Sequence, residues 1–313
     1  MAIAALLAQA EAALGRCSLS SCVEKAREAV ETATRAENDP RLLRRAHSLL
    51  GIGEHLSGRY ASAQHELSEA LDLAEAAARR GEAHDAYVDI VGSLVDLAAN
   101  SIQLGDGSPT ACDDAAVLLR RGGFMIQRAY RPSQAAQASL LQVSGLLYAA
   151  RGDHAGAFDK HQAALQKLCL PGIATTARPG WRCWSHAAIA GSVSATIAQG
   201  QPEAASLLAA GGVSEASDPW SAAIASSNAA IAQLEVVRHA KAGGGSGERE
   251  LADTETAGAS LHRAAAELGE ILGEDHPSTR DARENAATLL LPCERWTFRA
   301  LWQPAMGAGL ADV

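Results

Sequence analysis

The chain has 313 residues, a formal charge of −9, and a composition that is 48% hydrophobic but only 4% aromatic, with alanine dominating the apolar set. Alanine is the best helix former and the smallest side chain that still packs, so closely packed helices are expected rather than a sheet rich in Val, Ile and aromatic residues. Basic residues come as scattered pairs, Arg44-Arg45, Arg79-Arg80 and Arg120-Arg121, on a net acidic background; this argues against nucleic acid, which needs a dense cationic face to neutralise phosphates.

The first predicted element is the stretch MAIAALLAQAEAALGRC. It has no basic residue before Arg16 and carries Glu11 inside its apolar run, so it reads as an amphipathic helix rather than a signal peptide. No apolar run approaches the roughly 20 residues that span a bilayer, and no membrane insertion is expected. The six cysteines, Cys17, Cys22, Cys112, Cys169, Cys183 and Cys293, form no CxxC pair. They are expected as reduced, mostly buried thiols of a cytoplasmic protein, without zinc.

From Ala46 to Ala74, Leu50-Gly51, Gly58, Tyr60, Ala63, Leu67, Ala70 and Leu71 recur at helical spacing. Two antiparallel helices approach closely only where small residues face each other, and their turn needs a residue tolerant of positive φ. Gly51, Ala63 and Ala70 suit the contacts, and Gly58 suits the turn. Gly105, followed by Asp106, Gly107, Ser108 and Pro109, marks the next turn. The stretch from Gln142 to Leu168 repeats the pattern with Gly145, Tyr148, Gly152, Ala157, Ala164 and Leu165, and Gly200 with Pro202 marks another turn. From Gly58 to Gly105, Gly152 and Gly200 the steps are 47, 47 and 48 residues; a further step reaches the glycine-rich residues 243–247, and 43 residues back lies Gly15. About six antiparallel helix hairpins therefore fill residues 1–291. This pattern resembles the tetratricopeptide repeat, with steps longer than the ~34 residues usual for it.

Residues 169–186 are expected as an irregular connection carrying Pro171, Pro179, Trp181, Arg182, Cys183 and Trp184 ahead of the next helix. Trp and Arg serve as interface anchors, and the competing reading is that Trp181 and Trp184 plug a gap between hairpins. Further on, Leu272, Gly273, Asp275, His276, Pro277 and Asn285 look like the repeat boundary of kinesin light chains and their tetratricopeptide relatives, although Glu284 stands where that family has the first of two asparagines. Gly273 can end a helix and Pro277 fits the first turn of the next, which leaves His276 as a cap or turn residue. Residues 292–313, with Trp296, Phe298, Leu301 and Trp302, are expected as a capping or docking tail.

The resemblance implies an all-α, right-handed solenoid whose first helices line a concave face that receives extended or helical peptides. Projected by register, that face takes Arg45, Ser48, Leu49, Ile52 and His55 from one repeat. The next two give it Val95, Asp96, Ala99 and Ile102, and Ser139, Gln142, Val143 and Leu146. Trp181, Trp184 and Asn285 are further protein-binding candidates. The Lys, Asn and Arg clamp by which chaperone-binding relatives hold a C-terminal carboxylate cannot be built from Val95, Asp96 and Ala99. No HExxH is present, His154 and His161 have no evident third ligand, and the glycines of 243–247 lack the lysine of a phosphate loop. The expectation is a non-enzymatic adaptor or scaffold, without cofactor or metal, that binds a protein or peptide. The alternatives are a structural subunit of a larger assembly and a regulatory module of an enzyme whose catalytic part is elsewhere.

Overall fold

A computed structural model describes residues 2–301 apart from 17, 36–38, 82–85, 129–133, 169–178, 216–218, 243–247, 292–294, 297, 299 and 300. Within helices, the side chains of 86, 168, 179–188, 210–215, 239, 240, 242 and 248–253 also lie outside the description.

The described residues form thirteen α-helices and no strand: α1 (Ala2–Gly15), α2 (Leu19–Arg35), α3 (Pro40–Leu56), α4 (Tyr60–Arg79), α5 (Ala86–Leu104), α6 (Pro109–Arg128), α7 (Gln134–Ala150), α8 (His154–Leu168), α9 (Pro179–Ala198), α10 (Pro202–Glu215), α11 (Pro219–Ala242), α12 (Glu248–Leu272) and α13 (Pro277–Thr288). Six pairs and one further helix account for that number. Proline opens α3, α6, α9, α10, α11 and α13, where its fixed φ is already helical and its missing N–H would have had no partner. Asp39 caps α3 by accepting from the Arg41 N–H at 2.9 Å, and His276 Nδ1 caps α13 by accepting from the Ser278 N–H at 3.1 Å.

The turns follow the glycine spacing with one correction. Gly58, Gly152, Gly200 and Gly273 have φ of 74, 78, 70 and 90°. Between α5 and α6, however, the left-handed residues are Asp106 and Gly107, with φ of 47 and 67°, and not Gly105. Gly105 serves close contact instead: a Cβ there would lie 2.3 Å from the Ala111 Cβ. Another correction concerns residues 169–186. Helix α9 starts at Pro179, so Trp181 and Trp184 belong to a helix and not to an irregular connection.

Helices adjacent in sequence pack against each other within two compact units. The first is built on Met1–Asp153 with Ala163–Trp184, the second on Ser185–Gln303 with His154–Gln162. In the first, each helix from α1 to α7 packs on the next, and α1 also touches α3, α3 touches α5, and α5 touches α7. The odd-numbered helices thus form a layer of their own. Small residues permit this: a Cβ on Gly51 would lie 2.7 Å from the Leu67 side chain, so α3 and α4 meet with almost no space between them. In the second unit α10, α11, α12 and α13 pack in succession. Val193 of α9, Ala205 and Ala209 of α10 and Ala232 of α11 share one buried cluster; Ala230, Ile231 and Leu234 of α11 join Ala257 and Leu261 of α12, Ala286 of α13 and Trp296 in another.

Candidate functional site: the odd-numbered helices

Helix α3 is buried on every side from Ser48 to Leu56. Ser48, Leu49, Ile52 and His55 are interior residues, as are the charged Arg44 and Glu54. Val95, Asp96, Ala99 and Ile102 of α5, and Ser139, Gln142, Val143 and Leu146 of α7, are buried too. The positions expected to line an open concave surface therefore lie inside the packed helices. The cause is the contact between successive odd helices, added to that with the even ones. Helix α5 carries a polar stripe of Asp89, Ser93, Asp96, Asn100 and Gln103, and even there Ser93, Asp96 and Asn100 are buried. Arg45, half-buried, is occupied by Glu11 of α1, whose Oε1 accepts from its Nε at 2.8 Å. Asn285 is buried in α13. The side chains of Trp181 and Trp184 lie outside the described residues.

The polar groups of this first layer are joined to one another. Arg44 of α3 pairs with Asp89 of α5 at 2.9 Å. Burial pushes the Arg44 guanidinium below its ordinary pKa, and Asp89 opposes that shift. Glu54 takes Arg27 at 2.8 Å and also Arg59. Asn100 of α5 is a hub: its Oδ1 meets His55 Nδ1 at 2.9 Å, while its Nδ2 donates to the Tyr60 carbonyl at 3.0 Å and to Gln64 Oε1 at 2.8 Å. One fully buried amide thereby ties α3, α4 and α5 together.

In the second unit, α11 buries Trp220, Ser221, Ser227, Asn228 and Glu235. Asn228 has a different kind of partner. Its Nδ2 donates to the Leu301 carbonyl at 2.5 Å and its Oδ1 accepts from the Leu301 N–H at 2.7 Å. A primary amide has one donor and one acceptor edge, which match the N–H and C=O of a single residue of non-helical chain whatever its side chain. A second backbone contact comes from Arg238, whose Nη1 donates to the Trp296 carbonyl at 3.3 Å, while its Nη2 is held by Glu235 at 2.5 Å. Trp296 sinks its ring among α11, α12 and α13, donates Nε1–H to the Leu291 carbonyl at 3.0 Å, and packs against Phe298 at 5.8 Å between centroids. The four described residues of the expected tail, Arg295, Trp296, Phe298 and Leu301, thus include two whose backbones are held by α11.

Burial lowers His161 to a pKa of about 4, so its ring is neutral at physiological pH. The Cys22 thiol is pushed up to about 12, by burial first and by Glu11 second. Among the described residues no three His, Cys, Asp or Glu side chains converge as metal ligands would, and no helix is long and apolar enough to cross a membrane. No protein-family model and no curated protein matches this chain.

Proposed function

We propose that the chain is a right-handed, tetratricopeptide-like α-solenoid that works in the cytoplasm as a non-enzymatic adaptor or scaffold, holding an extended segment of a partner protein on α11. The observation that carries this reading is the backbone clamp on α11: a buried Asn228 takes both the N–H and the C=O of Leu301. Helices that can satisfy the main chain of a non-helical segment, while an apolar pocket takes its aromatic side chain, have the chemistry of peptide recognition. The direct contacts of α1 with α3, α3 with α5 and α5 with α7 support the solenoid part of the reading.

Panning a library of random dodecapeptides against the immobilised full chain tests the proposal. Enrichment of aromatic-containing peptides that bind with micromolar Kd is expected; a library that yields no binder contradicts it. A second reading, a structural subunit of a larger assembly, draws on the burial of the first layer, which leaves Ile52, Val95 and Gln142 no exposed surface to offer a passing peptide. It predicts no peptide binder and a fixed stoichiometric complex after gentle purification from the native cell.

A further inference from the structure

In the tail segment, Trp296, Phe298 and Leu301 are seated against α11 by contacts that separate into two kinds. Among the described residues, Asn228 and Arg238 bond to its backbone and not to its side chains, at Leu301 and at Trp296. Trp296, 4% exposed, and Leu301, 2% exposed, supply the buried apolar anchors, with Phe298 half-buried beside the first. Such a seat specifies an irregular or extended chain with a large aromatic residue and, five positions later, an aliphatic one. It does not require that the chain be covalently its own. Asn228 lies 73 residues from Leu301 in sequence, so the contact owes nothing to local folding.

We propose that this segment is a strap occupying a peptide-binding seat on α11, and that a partner's extended segment with a Trp, an aromatic residue two places on and a Leu five places on takes the same seat by displacing it. The proposal rests on the adaptor reading and names its site and the chemistry of its partner. A tethered strap competes at an effective concentration in the millimolar range, so a peptide that binds the resting chain with micromolar Kd binds the emptied seat far more tightly. Weakening the strap raises the apparent affinity without touching the seat.

The test uses a fluorescein-labelled peptide with the sequence of residues 293–303 and the full-length chain. Anisotropy titration is expected to give at least tenfold tighter binding to the Phe298→Ala, Leu301→Ala double variant than to the wild type. Adding Asn228→Ala to that variant is expected to reverse the gain. Equal weak binding by the wild type and the folded double variant overturns the proposal. Tight binding indifferent to Asn228→Ala also overturns it, while leaving the adaptor reading standing with its seat elsewhere. Phe298→Ala alone, which keeps both buried anchors, is the milder variant, with a smaller gain of the same sign. If circular dichroism shows both variants unfolded, the segment is an integral part of the core and no strap exists.

Discussion

The two units bury polar side chains in the same kind of helix and satisfy them by different means. In the first, Asn100 is held by His55, Gln64 and the Tyr60 carbonyl, all on helices packed around α5. In the second, Asn228 is held by the backbone of a short non-helical segment. A buried amide stitched between helices is released only when the helices part. One satisfied by a segment is released when the segment leaves, a local event with its own smaller free energy. The difference separates a layer that is closed from one that has been filled.

Deleting the hub is the strongest way to break that comparison. Asn100→Ala removes three hydrogen bonds and leaves buried partners unsatisfied, so a loss of about 4 kcal/mol is expected in urea unfolding of the first unit. Peptides from the second unit, followed by hydrogen exchange, are expected to keep their midpoint. A loss under about 1 kcal/mol would mean that the network is not what closes the layer.

Acid acts next, on the second unit, where His161 fits so tightly against α9 that a Cβ on Gly191 would lie 2.5 Å from its ring. Its folded pKa of about 4 is below the ordinary 6.5, so as pH falls the unfolded chain takes up a proton before the folded one does. The histidine's contribution is fully present above pH 6.5, is lost between 6.5 and 4, and is constant below 4. The loss is about 3 kcal/mol. Unfolding curves at pH 7, 6, 5 and 4 for the wild type and His161→Gln should diverge across that window.

Asn228→Ala sharpens the contrast at smaller cost. Losing two bonds to the segment is worth about 2 kcal/mol, or roughly thirtyfold faster exchange of the Leu301 amide, with the amides of α11 itself unchanged. Smallest and equal in both units are the turn substitutions: Gly152→Ala and Gly200→Ala meet no neighbour within 4 Å but must hold φ of 78 and 70°. Each is expected to cost about 1 kcal/mol in thermal or urea unfolding.

The helices were legible in the sequence because their punctuation is local. A proline that opens a helix and a glycine that turns the chain act within a few residues, and Gly58, Gly152, Gly200 and Pro277 mark the expected boundaries. The 47-residue spacing points to Gly105 as the turn, and only packing against Ala111 decides which glycine of Gly-Asp-Gly serves contact and which serves φ. Register names the face on which Ile52, Val95 and Gln142 lie, but it does not reveal whether that face is covered. The pattern of α5 even points the other way, because its polar stripe of Asp89, Ser93, Asp96, Asn100 and Gln103 reads as a face turned toward water, yet Ser93, Asp96 and Asn100 are buried. Asn228 was missed for a different reason. Its partner is 73 residues away, and the bond is to backbone, so no residue type at the far end betrays it.

The most direct test is hydrogen exchange of the full chain, residue by residue, across a urea series that stays below the unfolding midpoint. The Leu301 amide, held by Asn228, is predicted to exchange through a local opening with a small free energy and little urea dependence, while amides of α3 and α5 around the His55–Asn100 pair exchange only through larger, strongly urea-dependent unfolding. If the Leu301 amide opens only together with α11, at the same free energy and with the same urea dependence, the filled layer is as closed as the first, and the contrast between the two units is contradicted.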